Sequence, residues 1–113
     1  MPHIDKTEFG IIVVDGKTYE HDIKILPDGK ILRRWGPRGS HEICLEEFDE
    51  ILSQNPEVIV VGNGQSGVAR VEEKAVEEIE GKSIKLIIEE TPKAIKTFNE
   101  IKNKKAGLFH VTC

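Results

Sequence analysis

Past Pro56 the chain settles into a rhythm that few folds can accommodate. Three short runs, the wholly apolar and β-branched Val58-Ile59-Val60-Val61, then Ser83 to Ile88 and Gly107 to Thr112, are separated by two stretches of helical periodicity. A run that is apolar at every position, without alternation, suits a strand covered on both faces. Between the runs, Val71, Ala75, Val76 and Ile79 form one helical stripe, stopped by Gly81, and Ala94, Ile95, Phe98 and Ile101 form another. Such spacing places the apolar side chains on one helix face. Strand, helix, strand, helix, strand requires crossover connections, which give parallel strands in one sheet with helices packed on it. Thr91-Pro92 marks the start of the last helix: threonine suits an N-cap and proline the first helical position.

The first third reads differently. Phe9 to Val14 is β-rich and ends at Asp15-Gly16, a strong two-residue hairpin signal. Lys17 to Leu26 alternates imperfectly through Tyr19, Ile23 and Ile25 and stops at Pro27-Asp28-Gly29; Lys30 to Trp35 resumes an extended segment. These segments predict an antiparallel meander. Leu45, Phe48, Ile51 and Leu52 add a helical stripe that ends before Pro56. The predicted fold is α/β, a three-layer single domain over residues 1–113. Its central mixed sheet has about five strands, with an N-terminal β-hairpin or meander and helices on both faces. Residues 1–8 form an extended N-terminal segment.

Composition narrows the function. A length of 113 residues suits one domain. With 38% hydrophobic and 32% charged residues the chain is too apolar for disorder and too polar for a membrane protein. The charged start, Met1 to Gly10, lacks a signal-peptide core, which predicts a cytoplasmic protein with no membrane partner. A net charge of −4 argues against nucleic acid. Cys44 and Cys113 are too few for a disulfide scaffold, and His3, His21, His41 and His110 are scattered, so no metal and no cofactor are expected.

Four places could carry chemistry. Gly62-Asn63-Gly64-Gln65-Ser66-Gly67 is a literal G-x-G-x-x-G after an apolar strand, and open parallel sheets bind ligands at the carboxyl ends of their strands. The N–H groups of Gly64 and Gln65 could hold an anion. The chain is too short for the two halves that embrace a dinucleotide, so a plain turn and an anion or partner contact both remain open. Arg33-Arg34-Trp35-Gly36-Pro37-Arg38-Gly39-Ser40-His41 gathers three arginines and the sole tryptophan into nine residues. It reads either as an anion or partner surface with arginine forks for carboxylate or phosphate and Trp35 as anchor, or as a solvated loop whose Trp35 plugs the core edge. His41 and Cys44, at H-x-x-C spacing, could set a base beside a thiol, though no third orienting group is evident and no catalytic residue is assigned. On the last helix Thr91 has a sufficient role as cap, while Asn99 has no evident structural role and is a candidate pocket residue. The glutamates from Glu72 to Glu80 read as a solvated face.

Taken in order, Phe9-Gly10, Gly16, Tyr19, Asp22, Trp35, His41, Gly62-x-Gly64, Thr91, Ala94, Asn99 and the end around His110 resemble one family. It is the small uncharacterised domain family that includes the adipogenesis-associated Mth-type domain protein and, more distantly, a mitochondrial respiratory complex I assembly factor. The resemblance spans about Phe9 to Cys113 and departs at Asn63, where the family pattern has a small, threonine-like residue. It implies a three-layer fold around a mixed sheet and supplies no catalytic mechanism. The Glu-, Lys- and Ile-rich composition looks like that of an archaeal stand-alone member. Together these features predict a small cytoplasmic protein acting as a non-catalytic interaction or assembly module for a protein partner. Its surface would comprise Trp35, Arg38, His41, Gly62, Asn63, Gly64, Gln65, Thr91 and Asn99. The alternative is a small-molecule or anion-binding enzyme with a pocket at the strand ends near Gly62–Gly67 and His41 as acid or base.

Overall fold

Asp15 and Gly16 both adopt positive φ, 48° and 80°, as a tight hairpin turn requires. In the computed structural model, which describes residues 1–113, this turn joins β2 to β3 in an antiparallel meander of β1 (Ile4–Glu8), β2 (Ile11–Val14) and β3 (Lys17–Tyr19). A second hairpin, β4 (Ile23–Ile25) and β5 (Ile31–Arg33), folds around Pro27-Asp28-Gly29, with Gly29 at φ +92°. Next come β6 (Glu42–Ile43), a 3-10 turn over Leu45–Phe48 and α1 (Asp49–Leu52). The alternating half is β7 (Val58–Asn63), β8 (Arg70–Val71), α2 (Glu73–Gly81), β9 (Lys85–Glu89), α3 (Thr91–Glu100) and β10 (Lys105–His110).

The main sheet has five strands in the order β5-β4-β10-β7-β9. β10 runs parallel to β7 and antiparallel to β4, so the predicted mixed sheet is present with β10 at its centre. The apolar run of β7 is divided strictly by parity. Val58 and Val60 face a core shared with the meander and α3, where Phe98 and Phe109 meet edge to face at 5.6 Å. Ile59 and Val61 face a second core with Phe48, Ile51, Ala75 and Ile79. Helices therefore cover both faces. Buried Lys105 holds the end of α3 by donating to the Phe98 carbonyl and, at 2.9 Å, to that of Ile101. Burial, and then Lys102, push its pKa down. No helix is long and apolar enough to cross a membrane.

Four local expectations are corrected. Lys17 to Leu26 is not one strand: it breaks between Tyr19 and Ile23, where the chain crosses from the small sheet to the large one. The run from Ser83 is a sheet edge rather than a strand covered on both faces, and Ile88 is 41% exposed. Glu90, not Thr91, is the N-cap of α3, which places Pro92 at the second helical position. Val71 belongs to β8, outside the α2 stripe. Within residues 1–8, Ile4–Glu8 is β1.

Candidate functional site

The densest polar cluster is buried. Arg34, which follows β5, is 5% exposed, and its guanidinium donates to the Glu47 carboxylate and, from Nη1 at 2.8 Å, to Asp22. The same guanidinium donates to the carbonyls of Ser40, Glu42 and Gly39, at 2.9, 3.1 and 3.4 Å. One cation thus neutralises two carboxylates and fastens the loop that follows it. Burial alone would lower the Arg34 pKa, but Glu47 and then Asp22 outweigh it and hold the pKa above its ordinary value.

Asp22 extends the network to the last strand. Its Oδ2 meets His110 Nδ1 at 2.8 Å, its Oδ1 accepts the Val111 N–H at 2.9 Å, and His110 Nε2 lies 3.0 Å from the Thr112 hydroxyl. Burial raises the Asp22 pKa, but the His110, Val111 and Arg34 hydrogen bonds prevail and set it below the ordinary 3.8. Stability contributed by this carboxylate is therefore complete above about pH 4 and is lost as pH falls through the depressed folded value. Asp22→Asn should lower stability at pH 7 by about 1–3 kcal/mol. It should also flatten the loss of stability below pH 4, as checked by urea melts from pH 7 to pH 2. A variant with the wild-type acid limb would show that Asp22 is not the titrating group.

Cys44 is no nucleophile. It is fully buried; its Sγ lies 3.4 Å from Glu47 Oε2, and burial followed by the Glu47 charge pushes its pKa up to about 11. His41 is exposed, its ring edge-on to that of His110 with centroids 5.4 Å apart.

The glycine corner is filled from within. Gly62 must lack a side chain because a Cβ there would lie 2.8 Å from the Thr91 hydroxyl. Gly64, at φ +111°, sits against Cys113, whose carbonyl carbon would be 2.2 Å from an added Cβ. The Gly64 N–H donates to Thr91 Oγ1 at 2.9 Å and that of Gln65 to the Thr112 carbonyl at 2.7 Å; those of Ser66 and Val68 reach the Cys113 oxygen. The donors expected to be free for an anion are thus occupied by the chain itself. Thr91 in turn donates to the His110 carbonyl at 2.7 Å, so its hydroxyl clamps β7 to β10 instead of capping α3. Asn63 Oδ1 is buried there without a hydrogen-bond partner. The Gln65 amide nitrogen, 3.0 Å from the Thr7 hydroxyl, ties the corner to β1. Asn99 lines no pocket: its amide donates to the Ile4 carbonyl and its oxygen accepts the Ile4 N–H, pairing β1 as a neighbouring strand would.

Trp35 stands apart at 72% exposure, with the Arg33 guanidinium 4.6 Å from its ring centroid. Beside it lies an open groove of about 650 Å³ between the 33–37 loop and the 3-10 turn, lined by Leu32, Pro37, Glu46 and Glu50 among others. Trp35 therefore does not plug the core edge. Arg38, also exposed, lies 3.8 Å from Glu72. The predicted residues thus divide. His41 and Gly64 both lie near His110, Asn99 pins β1, Thr91 clamps two strands, and Trp35 and Arg38 face solvent. None of the four surface cavities is lined by residues 62–67, His110 or Thr112. Sequence reasoning missed the Asp22–Arg34–Glu47 cluster. Its partners lie 12 and 13 residues apart, a separation that no local pattern records.

The same architecture occurs in solved structures. A conserved hypothetical protein, PH1505, from Pyrococcus horikoshii OT3 is 30% identical over 97% of this chain and 98% of its own, with a TM-score of 0.88. The protein named MT938 is 26% identical over the whole of both chains, with a TM-score of 0.85. A Bordetella pertussis protein described as a Mth938-like domain shares the fold at 15% identity and a TM-score of 0.75, over 97% of this chain and 85% of that one. A family model described as protein of unknown function, DUF498/DUF598, matches residues 4–109, and the chain belongs to that family.

Proposed function

We propose that this protein is a cytoplasmic, non-catalytic binding module that holds a protein partner on the loop bearing Trp35 and Arg38. The observation that carries the proposal is a tryptophan 72% exposed on a loop whose carbonyls are fixed by buried Arg34. Tryptophan and arginine dominate binding energy at protein interfaces, and a loop already ordered loses little freedom on association. The groove beside Trp35 suits an apolar side chain of the partner, and Arg38 suits a carboxylate next to it.

The enzyme alternative has one specific feature in its favour: Asp22, His110 and Thr112 are connected like an orienting acid, a base and a hydroxyl nucleophile. Against it, no cavity opens on Thr112, and the nearby N–H groups of Gln65, Ser66 and Val68 are already engaged.

The experiment compares wild type with Trp35→Ala, which should alter stability by less than about 0.5 kcal/mol. A partner retained from native lysate by immobilised wild type is purified and titrated calorimetrically against both. Trp35→Ala should weaken it by about 30-fold or more. Equal affinity for the two proteins overturns the proposal. So does a metabolite that raises the melting temperature of wild type and Trp35→Ala but not of His41→Ala.

A further inference from the structure

The main sheet has two edges, and they are not equally protected. β5 is three residues long and runs into the Trp35 loop. β9, at the other edge, is five residues long, Lys85-Leu86-Ile87-Ile88-Glu89, and its outer side meets no other strand. The Lys85 N–H points inward and donates to the Glu57 carbonyl at 3.1 Å. Main-chain groups alternate sides along a strand, so the N–H and C=O groups of Leu86 and Ile88 point outward. A free row of this kind is a template for pairing with another strand.

The side chains along this edge narrow the choice of partner. Lys85 lies at one end and Glu89 at the other, with three aliphatic residues between, so the segment complements its own reverse. Continuing outward, Lys82 extends the basic end and Glu90 the acidic end. We propose that β9 pairs antiparallel with β9 of a second copy of this chain, about a two-fold axis at Ile87.

In that register Leu86 and Ile88 each face the other residue's counterpart in the second copy as hydrogen-bonded pairs. The two pairs exchange four main-chain hydrogen bonds, using the groups that point outward and no others. Exposed Ile88 is then covered on the α2 side of the sheet by Leu86 of the second copy. Lys85, which makes no ion pair within the chain, falls opposite Glu89 of the second copy at both ends. Glu89 accepts from Thr97 at 2.6 Å and lies 3.5 Å from Lys93, and its oxygens keep acceptor capacity for a further donor. A parallel arrangement, or a shift by one residue, would break either the hydrogen-bond parity or the charge match. The interface is isologous and closes on itself, as a two-fold dimer requires. It fuses two sheets into one of ten strands and leaves the two Trp35 loops at opposite ends.

Sedimentation equilibrium from about 10 µM to 1 mM tests the proposal in a range that captures weak association. Wild type should dimerise, and at dimeric concentrations the amides of Leu86 and Ile88, but not Ile87, should gain hydrogen-exchange protection. Ile88→Pro removes only an outward N–H, which an edge strand tolerates, so it should keep the wild-type circular dichroism yet be monomeric. Lys85→Glu and Glu89→Lys each place like charges opposite one another and should each weaken self-association at least about tenfold. Mixing the two restores both ion pairs and should yield a one-to-one heterodimer. Four outcomes overturn the proposal: wild type monomeric throughout, a dimer that survives Ile88→Pro, a dimer indifferent to Lys85→Glu, or no heterodimer on mixing.

Discussion

Arg34→Met should be the most damaging single substitution in the polar half of the molecule, lowering stability by about 3–5 kcal/mol. Methionine fills a similar volume, so the loss is electrostatic and hydrogen-bonding in origin, with no cavity to blame. It strands the Glu47 carboxylate, whose side chain is 2% exposed, and removes a partner from Asp22. It also releases the carbonyls of Gly39, Ser40 and Glu42, so the loop displaying Trp35 loses its anchor together with the core. For a domain of this size the melting temperature should fall by roughly 15–25 °C. Adding Glu47→Gln should recover part of the loss, because the uncompensated charge is gone while an amide oxygen can still accept the Cys44 N–H, now bonded to Glu47 at 2.8 Å. Chemical denaturation of the three proteins checks both statements; a cost under about 1 kcal/mol for Arg34→Met would show the charges to be hydrated rather than paired.

The second large effect is expected at Thr91, which is 0% exposed. Thr91→Val keeps the shape and removes one oxygen. That oxygen accepts from the Gly64 N–H and donates to the His110 carbonyl, so its loss leaves two buried main-chain groups without partners. The expected cost is about 2–4 kcal/mol, with the Gly64 amide exchanging faster with solvent. Thr91→Ser, which retains the hydroxyl, should cost only about 1 kcal/mol through the missing methyl group. Equal stability for Val and wild type would mean that the two strands are held by the ladder alone.

These residues also show where sequence reasoning succeeds and where it stops. Val58–Val61 announced a strand covered on both faces because burial on two sides leaves no room for a polar residue, a constraint visible in four consecutive letters. Asp15-Gly16 announced its turn for an equally local reason. Thr91 reads as a helix-start residue, but its hydroxyl bonds Gly64 and His110, 27 and 19 residues away, and no local pattern records such a choice. Asn99 gave no sign of matching Ile4 across 95 residues. The glycine corner reads from its spacing as a site for an anion, a plain turn or a partner contact, and what packs against it is residues 112 and 113 of the same chain. Arg34 looked like one of three surface arginines, since spacing cannot say which member of Arg33-Arg34 turns inward. Spacing alone leaves Trp35 open between core plug and surface anchor for the same reason, and its 72% exposure excludes the plug.

The placement of β10 has a consequence for how the molecule comes into being. The strand at the middle of the sheet, flanked by β4 and β7, is the last of the strands to leave the ribosome. Until it emerges, β4 and β7 have no common neighbour to pair with, and both hydrophobic cores lack their shared wall, Phe109 on one side and Leu108 on the other. The early meander and the β4–β5 hairpin close through contacts local enough to form on the nascent chain. Both cores close only once β10 has joined β4 to β7.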